Sequence, residues 1–512
     1  MIIIYHKDNR VCSIFDFDNQ KQLALTATSI SKVLLQIAEQ YPNRLLVWCH
    51  VFCQRELNVT ILSELFHHKK ILLSYNSKDN YFPPSIGYIE ETPFINVNKK
   101  VSYPTWQMSS IVGGIHAEML IYLRNEIVLE NNFDYFLCSV AKLGMPKGLF
   151  CYSEPKLLKN EPIVTNFQVA SVFELFRFVK QHYNYVWVVL LFFDILIYEK
   201  KINFFPFLFS WFYKKRKSMV KLDHIQIQSS LKVSERNDID VVIPTIGRKK
   251  YLYDILCDLQ AQTHLPKNVI IIEQNTSPDS TTELDFVLEE IWAFNIKHTF
   301  THQLGACNAR NIGLQQVESE WVFLADDDIR IKSNFIKQAL KKSNKFGIKA
   351  AVFSCLLAGK KNDYTTISQT TMFGSGCSIV RKSDLENVKF NESLEFGYGE
   401  DTDFGLQLRN IGIDIIYFPK PNILHLKAPI GGFRTKPILE WSVEVIQPKP
   451  SPTVILIKQL FDTREQISGY KMVFFLKLLK ENGLKNSLLF LNLYKKQWKS
   501  SLYWAKQLKK IN

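Results

Sequence analysis

The apolar positions of this chain change their period along its length, and the changes divide it into regions. Its first residues, Met1-Ile2-Ile3-Ile4-Tyr5-His6-Lys7-Asp8, read as a buried strand, and mixed strand and helix patterns continue to about residue 170. An apolar bridge follows over residues 171–225. Tyr183 to Phe193 carries no charge, Asp194 interrupts, Ile195 to Tyr198 resumes, and Phe204 to Tyr213 is apolar again apart from the break at Pro206. The basic run Lys214-Lys215-Arg216-Lys217 closes it. From Asp238 to about Pro437 the pattern alternates: a strand Ile239 to Ile243, a helix near Tyr251 to Gln262, a strand Val269 to Ile272, a helix near Glu283 to Ala293 and a strand Trp321 to Leu324. Such alternation predicts a mostly parallel α/β sheet whose ligand site lies beyond the carboxyl ends of the strands. Residues 452–512 show apolar positions at helical spacing, as in Val473, Phe474, Leu476 and Leu479, with lysines between them. They predict a basic helical tail that either packs on the preceding domain or meets a membrane.

At 512 residues the chain exceeds what one core supports, so two domains and a tail are expected. A content of 46% hydrophobic and 22% charged residues describes a folded protein. The net charge of +14 changes the picture of the bridge. Much of it sits in Lys214–Lys217 and after Lys458, beside apolar residues, which suits an anionic membrane surface better than nucleic acid. No zinc-finger spacing, RNP-like string or basic recognition helix is present, so no nucleic-acid partner is expected. Neither apolar run of the bridge reaches the ~20 residues of a spanning helix. Three readings stay open: a core or interdomain helix, a span with a buried Asp194, and helices lying in the membrane interface, with the last preferred. Nine scattered cysteines without a CxxC pair argue against disulfides and zinc. With no secretory signal at the start, the expected location is cytoplasmic, peripheral on the inner face of the plasma membrane.

The chemistry concentrates at strand ends. The first strand of the alternating region ends in Pro244-Thr245-Ile246-Gly247-Arg248, where a sharp turn can present backbone groups and Arg248 to a nucleotide; the same residues also make an ordinary strand-to-helix turn. Trp321 to Leu324 leads into Ala325-Asp326-Asp327-Asp328. Three successive carboxylates repel one another unless a cation sits among them. In an extended chain Asp326 and Asp328 point the same way, as a pair of hard oxygen ligands for Mg²⁺ or Mn²⁺ does; the bland alternative is a solvated acidic turn capping a helix at Ser333 or Asn334. Farther on, Glu400, Asp401 and Asp403 open a helix behind Gly397-Tyr398-Gly399. One acid is expected to cap that helix, which leaves another free to accept a proton from an attacking hydroxyl.

The ordered set VVIPTIGR, LGACNARNIGL, FLADDDI, GSGCSIV and GYGEDTDFGLQLRNIG, over about Asp238 to His425, resembles the family 2 glycosyltransferases of GT-A, Rossmann-like fold. The resemblance implies an inverting enzyme that takes a sugar from a nucleotide-sugar donor to a glycan or lipid-linked acceptor, in the synthesis of cell-surface polysaccharide or glycoconjugate. By position, Asp326 and Asp328 match the metal motif with Asp327 on the donor between them, His425 matches a further metal ligand, and Asp401 matches the base. Glu273 falls near the nucleobase, Gly305 to Asn311 where a loop lines the donor, Arg310 where leaving phosphate charge is neutralised, and Gly376 and Glu400 on the acceptor side. Glu273-Gln274 departs from the commoner Asp-Asp pair, which leaves the nucleobase open. Two other functions compete: a nucleotidyltransferase, and a membrane-associated carbohydrate-binding scaffold with a silent site.

Residues 1–170 can be read as a generic α/β domain or as a degenerate copy of the second half. Tyr41 to Val51 resembles Glu318 to Asp328, with Cys49, His50 and Val51 in place of the aspartates; Phe136 to Gly144 resembles Phe404 to Gly412, which sets Phe133 against Asp401. Either way no catalysis is expected from this half.

Overall fold

Runs of Ile, Val and Leu that are apolar on both faces form the inner strands of two separate sheets, because only a strand covered on both sides can bury them. The computed structural model describes residues 1–24, 27–160, 168–429, 439–482 and 487–510, so the expected domain end at Pro437 lies outside the described residues. The chain divides into two compact units, Met1–Leu231 with Asp462–Leu478, and Lys232–Phe461 with Leu479–Asn512.

In the first unit the strands are β1 Ile2–Lys7, β2 Arg10–Asp16, β3 Lys21–Leu23, β4 Leu45–His50, β5 Ile71–Tyr75, β6 Tyr103–Pro104, β7 Val112–His116 and β8 Phe150–Ser153, in sheet order β3-β2-β1-β4-β7-β5-β8-β6. In the second they are β9 Ile239–Thr245, β10 Asn268–Gln274, β11 Asn295–Thr301, β12 Trp321–Ala325, β13 Ile329–Arg330, β14 Ala350–Leu357, β15 Ser368–Gln369, β16 Cys377–Arg381 and β17 Ile415–His425. Their order is β11-β10-β9-β12-β16-β14-β17-β13, with β15 on β17.

The second sheet is mixed, not mostly parallel. β11, β10, β9 and β12 run parallel, as do β14 and β17, but β16 lies antiparallel to both β12 and β14. No helix joins β14 to β16. A direct return of that kind makes an antiparallel pair, whereas a parallel pair needs a crossover. The expected helix over Glu283–Ala293 shrinks to Phe286–Glu289. Glu273 accounts for part of this, since its carboxylate accepts bonds from the Thr282 hydroxyl and the Glu283 N–H and holds that stretch at the sheet end.

Six strands repeat between the units. β1-β4-β7-β5-β8 and β9-β12-β16-β14-β17 share order and the sense of every pairing, and β6 on β8 matches β15 on β17, each a short antiparallel strand from the same stretch of chain. They diverge on the far side of β1, where the first unit has the antiparallel β2 and β3 in place of the parallel β10 and β11.

The bridge folds as the helices Val172–His182, Tyr185–Asp194 and Phe204–Ser210. Ser171 and Glu174 form a capping box on the first, so its start is written into the sequence. No helix among the described residues is long and apolar enough to cross a membrane. Arg216 departs from the expected basic surface: it is buried against Glu130 and donates to Ser139 Oγ, while Lys214, Lys215 and Lys217 face solvent. The tail forms the helices Pro452–Phe461, Arg464–Asn482 and Ser487–Leu508. Pro452–Phe461 packs within the second unit against Gly397-Tyr398-Gly399. Thr453 Oγ1 accepts from the Tyr398 N–H at 3.0 Å, and Gly399, at φ +105°, leaves room for Ile457 where a Cβ would lie 1.9 Å from its Cδ1.

Candidate active site

β12 is buried along its whole length and delivers the acidic triplet to the carboxyl edge of the sheet. The chain turns at Asp327 and Asp328 before β13, so the alternation of an extended strand does not apply and the expected parallel pair of carboxylates is not formed. Two arginines serve the three acids, Arg248 lying 3.5 Å from Asp328 as well as against Asp327. Asp326 Oδ1 accepts from Arg310 Nη2 at 2.9 Å. Asp327 is buried and accepts from Arg248 Nη1 at 2.6 Å and from Thr245 Oγ1 at 2.8 Å. Burial nevertheless pushes its pKa up to about 6, against the pull of Arg248 and Thr245. Asp328 lies 3.4 Å from His425 Nε2 and accepts from the Ala428 N–H at 2.9 Å. The long-range pairing of β13 with β17 makes this contact, since Ile329 stands opposite His425.

The repulsion expected within the triplet is thus relieved by Arg310 and Arg248. Asp327 and Asp328 are buried, so the turn is not the solvated cap of the bland reading, and Asn334 starts the next helix without a side-chain cap. Among the described residues no three His, Cys, Asp or Glu side chains gather as a metal site. Of the expected ligands, Asp328 and His425 come together, and Asp326 goes to Arg310.

Arg310, on the helix Ala306–Gln315, is the electrostatic centre. It is buried, bonded to Asp326 and drawn upon by the charges of Asp401 and Glu400; its Nε–H has no partner among the described residues. Asp401 opens the helix Glu400–Asn410, and its Oδ1 accepts from the Ser375 N–H at 2.9 Å. Burial raises its pKa, opposed by Ser375 and Arg310. Glu400 is raised for the same reason and by the neighbouring Asp401 charge. The Glu400 carboxylate bonds backbone N–H groups of Gly399 and Glu400 at the start of this helix, while Asp403 is buried and accepts from Gln407. Gly376 closes the space between Ser375 and the triplet: a Cβ there would stand 2.1 Å from Asp326 Oδ2. Pro244 lies at the end of β9 beside Thr245, level with the end of β10.

Glu273 does not open toward this group. Its carboxylate is engaged by Thr282, Glu283 and His298. Sequence reasoning also missed Glu395, which accepts from the N–H groups of Cys307 and Asn308 and occupies the start of the Ala306–Gln315 helix, a place that otherwise attracts a phosphate. An acid just ahead of the Gly-Tyr-Gly turn was the one signal for it.

The repeated strands correct one pairing. Cys49 stands opposite Val112 in the first unit as Ala325 stands opposite Cys377 in the second. His50, Val51 and Phe52 therefore hold the places of Asp326, Asp327 and Asp328. At the helix start Asp134, not Phe133, matches Asp401: its carboxylate accepts from the Ser110 N–H and Oγ, two residues before β7, as Asp401 accepts from Ser375 two residues before β16.

Residues 240–399 match the family described as Glycosyl transferase family 2. The second unit carries a family 2 glycosyltransferase domain. Its mixed sheet fits the GT-A fold. This chain is 24% identical over 186 residues to the GalNAc(5)-diNAcBac-PP-undecaprenol beta-1,3-glucosyltransferase of Campylobacter jejuni subsp. jejuni serotype O:2, a match that covers 33% of this chain and 59% of that protein. The chain thus spans about three fifths of that relative's length. Solved structures similar to it include S. aureus TarS 1-349 in complex with UDP-GlcNAc, at 18% identity and TM-score 0.36 over 52% of this chain and 79% of that one. GalNAc-T7 with UDP, GalNAc and Mn2+ is similar at 13% identity and TM-score 0.34, over 43% and 48%.

Proposed function

We propose that the second unit transfers a sugar from a nucleoside-diphosphate donor to a hydroxyl of a glycan or lipid-linked acceptor, inverting the anomeric centre in one in-line displacement. The observation that carries this reading is the placement of Asp401, buried at a helix start and fixed by Ser375, in the same field of charge as Arg310 and Asp326.

Asp401 is the general base. Burial makes its carboxylate more basic than a solvated one, and the Ser375 N–H and hydroxyl orient it for the acceptor hydroxyl. Arg310 orients Asp326 and offers its remaining N–H to negative charge developing on the leaving diphosphate. Arg248 and Thr245 lock Asp327 and so fix the turn that carries the neighbouring acids. A carboxylate oxygen beside an imidazole suits a transition ion such as Mn²⁺ better than Mg²⁺, so Asp328 and His425 would hold the metal. A metal bound there supplies further charge neutralisation for the departing diphosphate. The C. jejuni relative is named for a PP-undecaprenol acceptor, which supports a lipid-linked acceptor here; work at the inner face of the plasma membrane is part of the same proposal.

The test is a panel of UDP-, GDP- and dTDP-sugars incubated with the full chain and Mn²⁺ or Mg²⁺, with nucleoside diphosphate release measured. Release from at least one donor that stops on addition of a chelator is expected. No release from any donor, with or without candidate glycan acceptors, would refute the reading.

A further inference from the structure

The bridge helices of the first unit leave much of their apolar surface uncovered. Tyr185–Asp194 is apolar all round except for Asp194, so packing one face leaves the others outside. The segment after it goes further: Ile202 is 75% exposed, Phe205 71% and Phe212 83%. These are not scattered residues. Phe209 touches Phe212 with ring centres 5.9 Å apart and Phe173 with centres 6.0 Å apart. Phe173 lies one helical turn before Arg177, whose guanidinium stands 4.8 Å over the Tyr213 ring.

At Tyr213 the aromatic surface gives way to an open groove of about 540 Å³. Its lining holds five basic side chains and one acidic one, Glu126. Glu126 is already engaged by the N–H groups of Met219 and Val220, and Arg216 turns inward to Glu130. Lys214, Lys215 and Lys217 are left to give the rim its charge.

Protruding aromatic rings beside a lysine rim match the two layers of a bilayer surface, the acyl boundary and the phosphates above it. A protein partner fits less well, since lysine is depleted in the buried centre of protein interfaces. We propose that this face docks on an anionic phospholipid surface, with Phe205, Phe209 and Phe212 entering the interfacial layer and a headgroup phosphate seated in the groove. The proposal deepens the reading of a lipid-linked acceptor, but it stands on the first unit's surface and not on the donor chemistry.

Flotation of the full chain with phosphatidylcholine vesicles, with and without phosphatidylglycerol, tests it. Binding is expected only where phosphatidylglycerol is present. Replacing Lys214, Lys215 and Lys217 together by Gln should weaken binding on the order of a hundredfold, at roughly a factor of five per lysine. Replacing Phe205, Phe209 and Phe212 by Ser should remove the part of the binding that survives high salt. Equal binding to both vesicles, or unchanged binding of the lysine variant, overturns the proposal. So does self-association in sedimentation that the Phe variant abolishes while neither protein floats, because the face would then belong to a second copy. Donor hydrolysis without vesicles, measured on the same variants, should match the parent. Its absence in every protein would defeat the transferase reading and leave the flotation result standing.

Discussion

Gly376→Ala adds one methyl group and tests whether Asp326 must rest on Arg310. The new Cβ would lie 2.1 Å from Asp326 Oδ2 and 2.3 Å from its Cγ, with no positive φ to complicate the change. Ordinary contact begins near 3.4 Å, so the carboxylate must retreat by more than 1 Å. Its bond to Arg310 is 2.9 Å long, and a shift of that size breaks it. Loss of a partner from a fully buried ion pair costs ~3–5 kcal/mol. Asp326 is 37% exposed and can turn to water, whereas Arg310 is left buried, so roughly 1–3 kcal/mol is the expected loss, toward the cost of an unsatisfied group. For a domain of this size that lowers the melting temperature by about 2–4 °C per kcal/mol. Circular dichroism melts of Gly376→Ala, Asp326→Asn and the double variant form a cycle. The two changes should be strongly non-additive, since both act on one bond, and donor turnover should fall in each. Melting within about 0.5 kcal/mol of the parent, or full additivity, would mean that Asp326 does not depend on the space at Gly376.

Asp194 is 1% exposed, its two carboxylate oxygens lack hydrogen-bond partners among the described residues, and burial pushes its pKa up to about 7. A raised carboxylate stabilises the fold when protonated, so that stability is present below pH ~4 and is lost as pH rises through about 7. Asp194→Asn should therefore raise stability at pH 8 by on the order of 2 kcal/mol and flatten the change in melting temperature between pH 5 and 8; an unaltered pH dependence would contradict this. Asp328→Asn and His425→Ala should raise the half-saturating Mn²⁺ concentration by at least the roughly tenfold that loss of an outer-shell partner costs. Asp326→Asn should do so less, and an equal effect of all three would return Asp326 to the metal. Asp134→Asn in the first unit should leave donor turnover unchanged, and a drop in turnover with the fold intact would implicate that unit in the chemistry.

The parts of this site that were legible in the sequence are those fixed locally. The apolar run Trp321 to Leu324 could only be a buried strand, and three acids after it could only be tolerated beside cations. The partners of those acids were not legible. Arg310 reaches Asp326 from a helix 16 residues earlier, and His425 reaches Asp328 through one antiparallel pairing nearly a hundred residues away. Such contacts depend on register, which no local pattern specifies. The same cause shifted the first half by one place. Matching Phe136 with Phe404 set Phe133 against Asp401, but the two helices begin at Phe133 and Glu400, which pairs Asp134 with Asp401. The helix expected over Glu283–Ala293 starts late at Phe286 in part because the Glu273 carboxylate, ten residues earlier, holds Thr282 and Glu283.

Transfer by Asp401→Asn, set beside donor binding by the same protein, is the most direct measurement of the central claim. Once the panel has given a donor, calorimetry with that donor and a single-turnover transfer assay are run on parent and variant. The amide keeps the shape and the Ser375 contact but cannot take a proton. Donor affinity should stay within a few-fold, while the transfer rate falls by the ~10²–10⁴-fold typical of losing a general base. Transfer at the parental rate, with donor binding intact, would show that Asp401 is not the base.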